Sequence, residues 1–131
     1  MHKTELIQYW KETSDKDLIT MNHLFEAGDY HWSLFIGHLV IEKLLKALFV
    51  KLKASEVPRV HDLSRICELC GLELDEELEN KLDLITTFNI NARYPDYKNS
   101  FYKKCTKEFT KKSVNKILEI RTWILSELER K

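Results

Sequence analysis

Glycine and proline are scarce in this chain, three and two residues among 131, and the scarcity excludes several architectures. Collagen-like and linker-like sequences need far more of both, and a sandwich of short strands needs a turn signal about every 8–12 positions. Cysteine is nearly as rare. Cys67-Glu68-Leu69-Cys70 forms one CxxC pair, but structural zinc takes four ligands and no second pair exists. The five histidines show neither HxxxH nor HExxH spacing, so no metal and no metal hydrolase is expected. Neither sign of charge is in excess: 21 basic and 21 acidic residues leave no global field to attract nucleic acid. The MHKTE start has no apolar run behind it. The expected location is therefore cytoplasmic, with the cysteines as reduced thiols.

What the chain does have is one long greasy stretch, WSLFIGHLVIEKLLKALFVKLK, over residues 32–53. It lacks proline and is long enough for about six helical turns. On a helical projection Trp32, Phe35, Ile36, Leu39, Val40, Ala47 and Val50 cover one side. Leu34, Ile41, Leu44, Leu45, Leu48 and Phe49 cover the other, so the helix is apolar nearly all round. Its length would span a bilayer. Glu42, Lys43, Lys46, Lys51 and Lys53 interrupt it, however, and central charges are costly there, so no membrane is expected. A chain this short should leave part of such a helix uncovered, which predicts a homodimer through it. His38, Glu42, Lys46 and Lys53 share one sector, and Glu42 and Lys46 form an i, i+4 pair in the favourable order.

The other elements follow from caps and breakers. The first helix is expected over residues 5–27, capped by Thr4, with Ser14 and Thr13 weakening its middle. Gly28 fits the position just past a helix end, and Asp29 the cap of the next. Pro58 marks residues 54–61 as a connection. Asp62 caps a short helix stopped at Gly71, and Asp75 opens another that runs to about residue 91. Pro95 breaks residues 93–100. A last helix over residues 106–129 should bury Val114, Ile117, Leu118, Ile120, Ile124, Leu125 and Leu128. No strand alternation and no repeat occurs. The expected fold is all-α: an up-and-down four-helix bundle with one additional short helix, one domain over residues 1–131.

Chemistry concentrates at few places. His61-Asp62-Leu63 sits at a helix start, which reads either as an anion-accepting end or as a plain cap. In residues 91–97, Arg93 brings a planar five-donor fork suited to phosphate. Tyr94 and Tyr97 offer faces on which a base could stack. Asp96 could hold Arg93 or accept from a ribose or base; an Arg93–Asp96 pair closing a loop is the plainer alternative. Charges on an apolar helix are expensive unless paired, so Arg93 and Asp96 are expected beside Glu42 and Lys46, with His61 at the rim. The lysines from Lys98 to Lys112 read as a solvated face.

In this order and spacing, Gly28-Asp29-Tyr30, Ile41-Glu42-Lys43 with Lys46-Ala47, His61-Asp62-Leu63 and Ala92-Arg93-Tyr94-Pro95-Asp96 resemble the HEPN family (higher eukaryotes and prokaryotes nucleotide-binding domain). The resemblance spans nearly the whole chain. It implies a helical bundle, commonly a homodimer, that works beside nucleotides or RNA. A minimal nucleotidyltransferase partner in a toxin–antitoxin or defence pair is often implied as well. The ribonuclease branch carries an arginine followed, after four to six residues, by a histidine. Here Arg93 is followed at those positions by Lys98, Asn99 and Ser100, and Arg59, Arg65 and Arg121 fare no better. The general acid/base of metal-independent cleavage is missing. The expectation is a non-catalytic nucleotide- or partner-binding module with no cofactor. Its candidate residues are Arg93, Tyr94, Asp96, Tyr97, Glu42, Lys46 and His61. An atypical ribonuclease using Arg93, His61 and Glu42 from across a dimer, and a purely structural helical adaptor, are the alternatives.

Overall fold

The computed structural model describes residues 2–54 and 56–131. Six helices follow one another: α1 Lys3–Glu26, α2 Tyr30–Lys53, α3 Leu63–Leu69, α4 Glu76–Arg93, α5 Ser100–Lys104 and α6 Lys107–Glu129. Four are long and two short, so the bundle carries one short helix more than expected. That helix, α5, has five residues and opens on Asn99 in the left-handed conformation, too brief for any periodic signal.

Two caps are as read, at Asp62 and Asp75, and Thr106, expected as the first helical residue, is a third. The carboxylates of Asp62 and Asp75 accept from the Arg65 and Leu78 amides, at 3.3 and 2.7 Å, and the Thr106 hydroxyl accepts from the Phe109 amide at 3.1 Å. Gly28 and Gly71 hold positive φ, 83° and 80°, where a side chain would be strained. Thr4 is not a cap: α1 begins at Lys3 after His2, which makes no side-chain capping bond. Asp29 precedes α2 but its carboxylate likewise accepts no capping bond. α4 continues to Arg93, because Pro95 bars only its predecessor Tyr94 from helical geometry.

The organising role of α2 holds, and its middle is covered while Trp32 and Leu52 near its ends stay 41% and 45% exposed. From Ser33 to Val50 every residue is buried except Phe35, Ile36, Leu39 and Lys43, which are half-buried. α1, α6, α4 and α3 all pack on it. α1 is as long as α2 and is drawn in by buried polar links. The Ser14 hydroxyl donates to the Val40 carbonyl at 2.7 Å, and the Ser33 hydroxyl donates to the Met21 carbonyl at 2.9 Å. Ser14, expected to weaken α1, is a fully buried tie. At the other end Lys51 donates to the last carbonyls of α6, those of Glu127, Leu128 and Arg130, which no helical amide can satisfy. Leu118, placed in the core by periodicity, lies 37% exposed. Among the described residues no helix is long and apolar enough to cross a membrane.

Gly37 sets the closest approach. A Cβ there would stand 2.5 Å from Ile117 Cδ1 and 3.1 Å from Met21 Sδ. Both side chains are fully buried, so admitting a Cβ requires them to repack within the core. Alanine gains about 1 kcal/mol of helix propensity over glycine, while overpacking a closed core costs about 1–3 kcal/mol. Gly37→Ala should lower stability by about 1 kcal/mol and Gly37→Val by about 3 kcal/mol in chemical denaturation; an unchanged or raised midpoint for either would refute this packing.

Candidate functional site

Glu42 lies on the inner side of α2, 4% exposed, and everything polar nearby is arranged about its carboxylate. Lys46, one turn on, donates to Oε2 at 3.0 Å. His61 arrives on the extended connection before α3, and its Nδ1 lies 2.7 Å from Oε1. With a carboxylate as partner, Nδ1 is the donor. Burial pushes the Glu42 carboxyl up, but the hydrogen bonds from His61 and Lys46 outweigh it and hold it below the usual carboxylate range. Glu42 is therefore an anion inside the bundle, compensated on both oxygens.

His61 is fixed from several sides. Its carbonyl accepts from His38 Nε2 at 2.9 Å, and two residues on, the Leu63 amide donates to Thr86 Oγ1 at 3.1 Å. His38 is fully buried, and burial outweighs its Glu42 neighbour to depress its imidazole below the ordinary value. Because Nε2 donates to a carbonyl, the neutral ring carries its lone pair on Nδ1, a buried atom without a partner. The His61 side chain, by contrast, is 65% exposed. Its Nδ1–H is committed to Glu42, so Nε2 presents a lone pair outward.

Opposite His61, across a pocket of about 240 Å³ also lined by Asp62, Thr86, Asn89 and Ile90, stands Arg93. Its Nε donates to the Asn89 carbonyl at 3.1 Å, and a terminal nitrogen donates to the Asn89 side-chain oxygen. Asn89 is 5% exposed, a buried anchor for an exposed guanidinium. The Arg93 guanidinium also lies 5.4 Å from the centre of the Phe35 ring and 5.2 Å from that of Tyr94. A carboxylate-oriented imidazole and a guanidinium share one opening. Such a pair can hold a phosphate group and exchange a proton with a hydroxyl beside it.

The expected cluster is thus only partly assembled. Glu42, Lys46 and His61 are in direct contact and Arg93 faces His61, but Arg93 forms no ion pair with Glu42. The partner expected from Arg93 is supplied by His61, which reaches Oε1 first. Asp96 does not pair with Arg93 either. It accepts from the Ser100 amide at 2.8 Å and lines a separate pocket with Tyr94 on the other side of α4. Tyr97 is 91% exposed, under the Lys98 ammonium, and joins neither. Sequence reasoning did not assign His38 and Asn89 to the site, two buried polar side chains on core-facing positions. That combination, polar residues on apolar helical faces, was the available signal. The CxxC thiols are buried, and burial pushes Cys67 up to about 12 and Cys70 to about 11, leaving them inert at neutral pH. Among the described residues no group of three His, Cys, Asp or Glu is placed to hold a metal.

With this geometry in hand, a model of the HEPN domain matches residues 7–128. The chain belongs to the HEPN domain family. Among solved structures it resembles TT1696 from Thermus thermophilus, with a TM-score of 0.76 at 19% identity over 92% of this chain and 97% of that one. It also resembles ST0689, an archaeal HEPN homologue, with a TM-score of 0.75 at 19% identity over 94% and 98%. Both likenesses show the fold alone. A search of curated proteins finds no match.

The depressed His38 gives a pH signature. The unfolded chain protonates this imidazole near 6.5 and the folded chain only at lower pH. Its contribution to stability is therefore full above 6.5 and declines as pH falls toward the lowered folded value. His31, also lowered by burial, adds to the same window. Glu42 acts lower, losing its contribution only as pH falls below the usual carboxylate value of 4.5. In urea titrations across pH, His38→Gln should flatten the upper slope and leave the lower one; an unaltered upper slope would contradict a neutral buried His38.

Proposed function

We propose that this HEPN domain is a binding module for a nucleotide or RNA, its phosphate held by Arg93 and an adjacent hydroxyl received by His61. The observation that carries the reading is that His61, oriented by the buried Glu42, and Arg93, anchored on Asn89, border the same pocket. A guanidinium offers phosphate two parallel hydrogen bonds, and the fixed imidazole, its Nε2 lone pair turned outward, can accept from a hydroxyl beside that phosphate at low entropic cost. A thermal-shift screen against nucleotides is the direct test. Ligand at 100 times its Kd raises stability by about 2.7 kcal/mol. Arg93→Lys should keep the fold and weaken binding at least about tenfold, because an ammonium cannot reproduce the fork. Equal binding by wild type and variant would remove Arg93 from the site.

One observation favours a second, catalytic reading. The Glu42–His61 contact has the geometry of a base held by an orienting carboxylate, and the imidazole so held borders the pocket of Arg93. Incubation with single-stranded and structured RNA, with chelator present, separates the two. Intact RNA is expected; cleavage abolished by His61→Ala and by Glu42→Gln would establish an atypical ribonuclease instead.

The assembly belongs to the same proposal. The family resemblance supports a homodimer and a nucleotidyltransferase partner in a toxin–antitoxin or defence pair. For the dimer there is also a physical support, although most of α2 is covered within one chain. Trp32 remains 41% exposed on the same helix as the half-buried Phe35, Ile36 and Leu39. Light scattering should return twice 15.6 kDa; a monomer at micromolar concentration would end that part of the reading.

A further inference from the structure

The turn between α1 and α2 meets the short α5 at a recess that the phosphate reading leaves unused. Gly28, Tyr30, His31, Tyr102 and Cys105 line it, and its volume is about 190 Å³. Sites for drug-sized ligands measure about 300–1,000 Å³, so this one has room for a single side chain. Its walls are rings with polar tips. Tyr102, 63% exposed, stands edge-on to His31 with 5.3 Å between ring centres, and Tyr30 leans on Phe25 at 5.5 Å. The charge around Tyr102 has one sign. Lys103 and Lys104 follow it on α5 and Lys98 precedes it by four positions, all three exposed. Glu108, the nearest acid in sequence, is taken by Lys112, and among the described residues none of the three lysines has a carboxylate partner. Asp29, whose charge reaches His31, is outnumbered. Surface lysines alone are ordinarily just solvated. Here they flank an aromatic recess sized for one anchor, which is the layout of a small interface with a polar rim.

We propose that this recess docks an acidic segment of a partner protein, with a tyrosine side chain entering beside His31 and Tyr102 and carboxylates meeting Lys98, Lys103 and Lys104. A tyrosine brings the same combination of apolar ring and polar tip that the walls have. The carboxylates steer the segment in and set its salt dependence, while the enclosed anchor holds it. A nucleic-acid strand fits less well. Bases stack in succession on open aromatic faces, whereas His31 is turned 67° to Tyr102 and 40° to Trp32, so each ring covers part of the next. The inference requires nothing of Arg93 or His61 and stands or falls apart from the phosphate reading.

Fluorescence anisotropy of a labelled glutamate–tyrosine copolymer, of polyglutamate and of oligouridylate, each titrated with the full chain, is the test. The copolymer should bind at least about tenfold more tightly than either of the others. Tyr102→Ala, at an exposed position, should abolish the preference over polyglutamate. Lys103→Glu combined with Lys104→Glu, both open to solvent, should weaken the copolymer at least about tenfold and flatten its salt dependence. Equal binding of copolymer and polyglutamate, a preference that survives Tyr102→Ala, or no copolymer binding at millimolar tyrosine overturns the docking surface. Oligouridylate bound as tightly as the copolymer overturns it in favour of nucleic acid. A mass halved by the two lysine reversals, in light scattering without any probe, overturns it in favour of a second copy of this chain.

Discussion

A carboxylate on the inner face of an apolar helix must be neutralised where it lies, because removing it from water costs several kcal/mol. Glu42 meets this demand with two partners of different kinds. Lys46 comes from the same helix and needs no tertiary structure to find it. His61 comes from the connection before α3 and reaches Glu42 only when that connection lies along α2. One buried charge thus couples the central helix to the course of an irregular segment. His38, one turn earlier on α2, fastens the same segment by its carbonyl. The result is an imidazole whose direction is set by the core and whose free nitrogen faces water.

This arrangement gives the departure from the ribonuclease pattern a physical meaning. The motif would place arginine and histidine a turn or two apart in sequence. Here Arg93 and His61 are 32 positions apart, yet they border one pocket because α3 and α4 pack together and Thr86 ties the start of α3 to α4. A pair defined by spacing is absent, while a pair defined by space is present. The two readings of function differ only in whether the His61 lone pair moves a proton or merely accepts one in a hydrogen bond.

How much of this was legible varied with the range of the interaction. The caps at Asp62 and Asp75 and the left-handed glycines were readable because each is decided within four residues. The greasy α2 was readable from composition alone, as was the convergence of His38, Glu42 and Lys46 on one sector. Coverage of α2 was not, since a projection shows which residues are apolar and not how much area a 24-residue α1 can hide. The close contact at Gly37 depends on Ile117, 80 positions away, and leaves no local mark. The pairing of Arg93 with Glu42 was inferred from sign. Sign does not rank competitors, and His61 and Asn89 each lay nearer to one of the two. Asp96 was spent locally, on the amide of Ser100.

Everything at the site depends on the state of one ring. Nitrogen-15 NMR of the imidazoles, at a pH where His61 is neutral, reports which nitrogen carries the proton. If Glu42 orients His61 as described, its proton resides on Nδ1, Nε2 shows the shift of a bare lone pair, and Glu42→Gln alters that pattern. A His61 protonated mainly on Nε2, or one whose tautomers are unchanged by Glu42→Gln, would contradict a site built on the buried carboxylate.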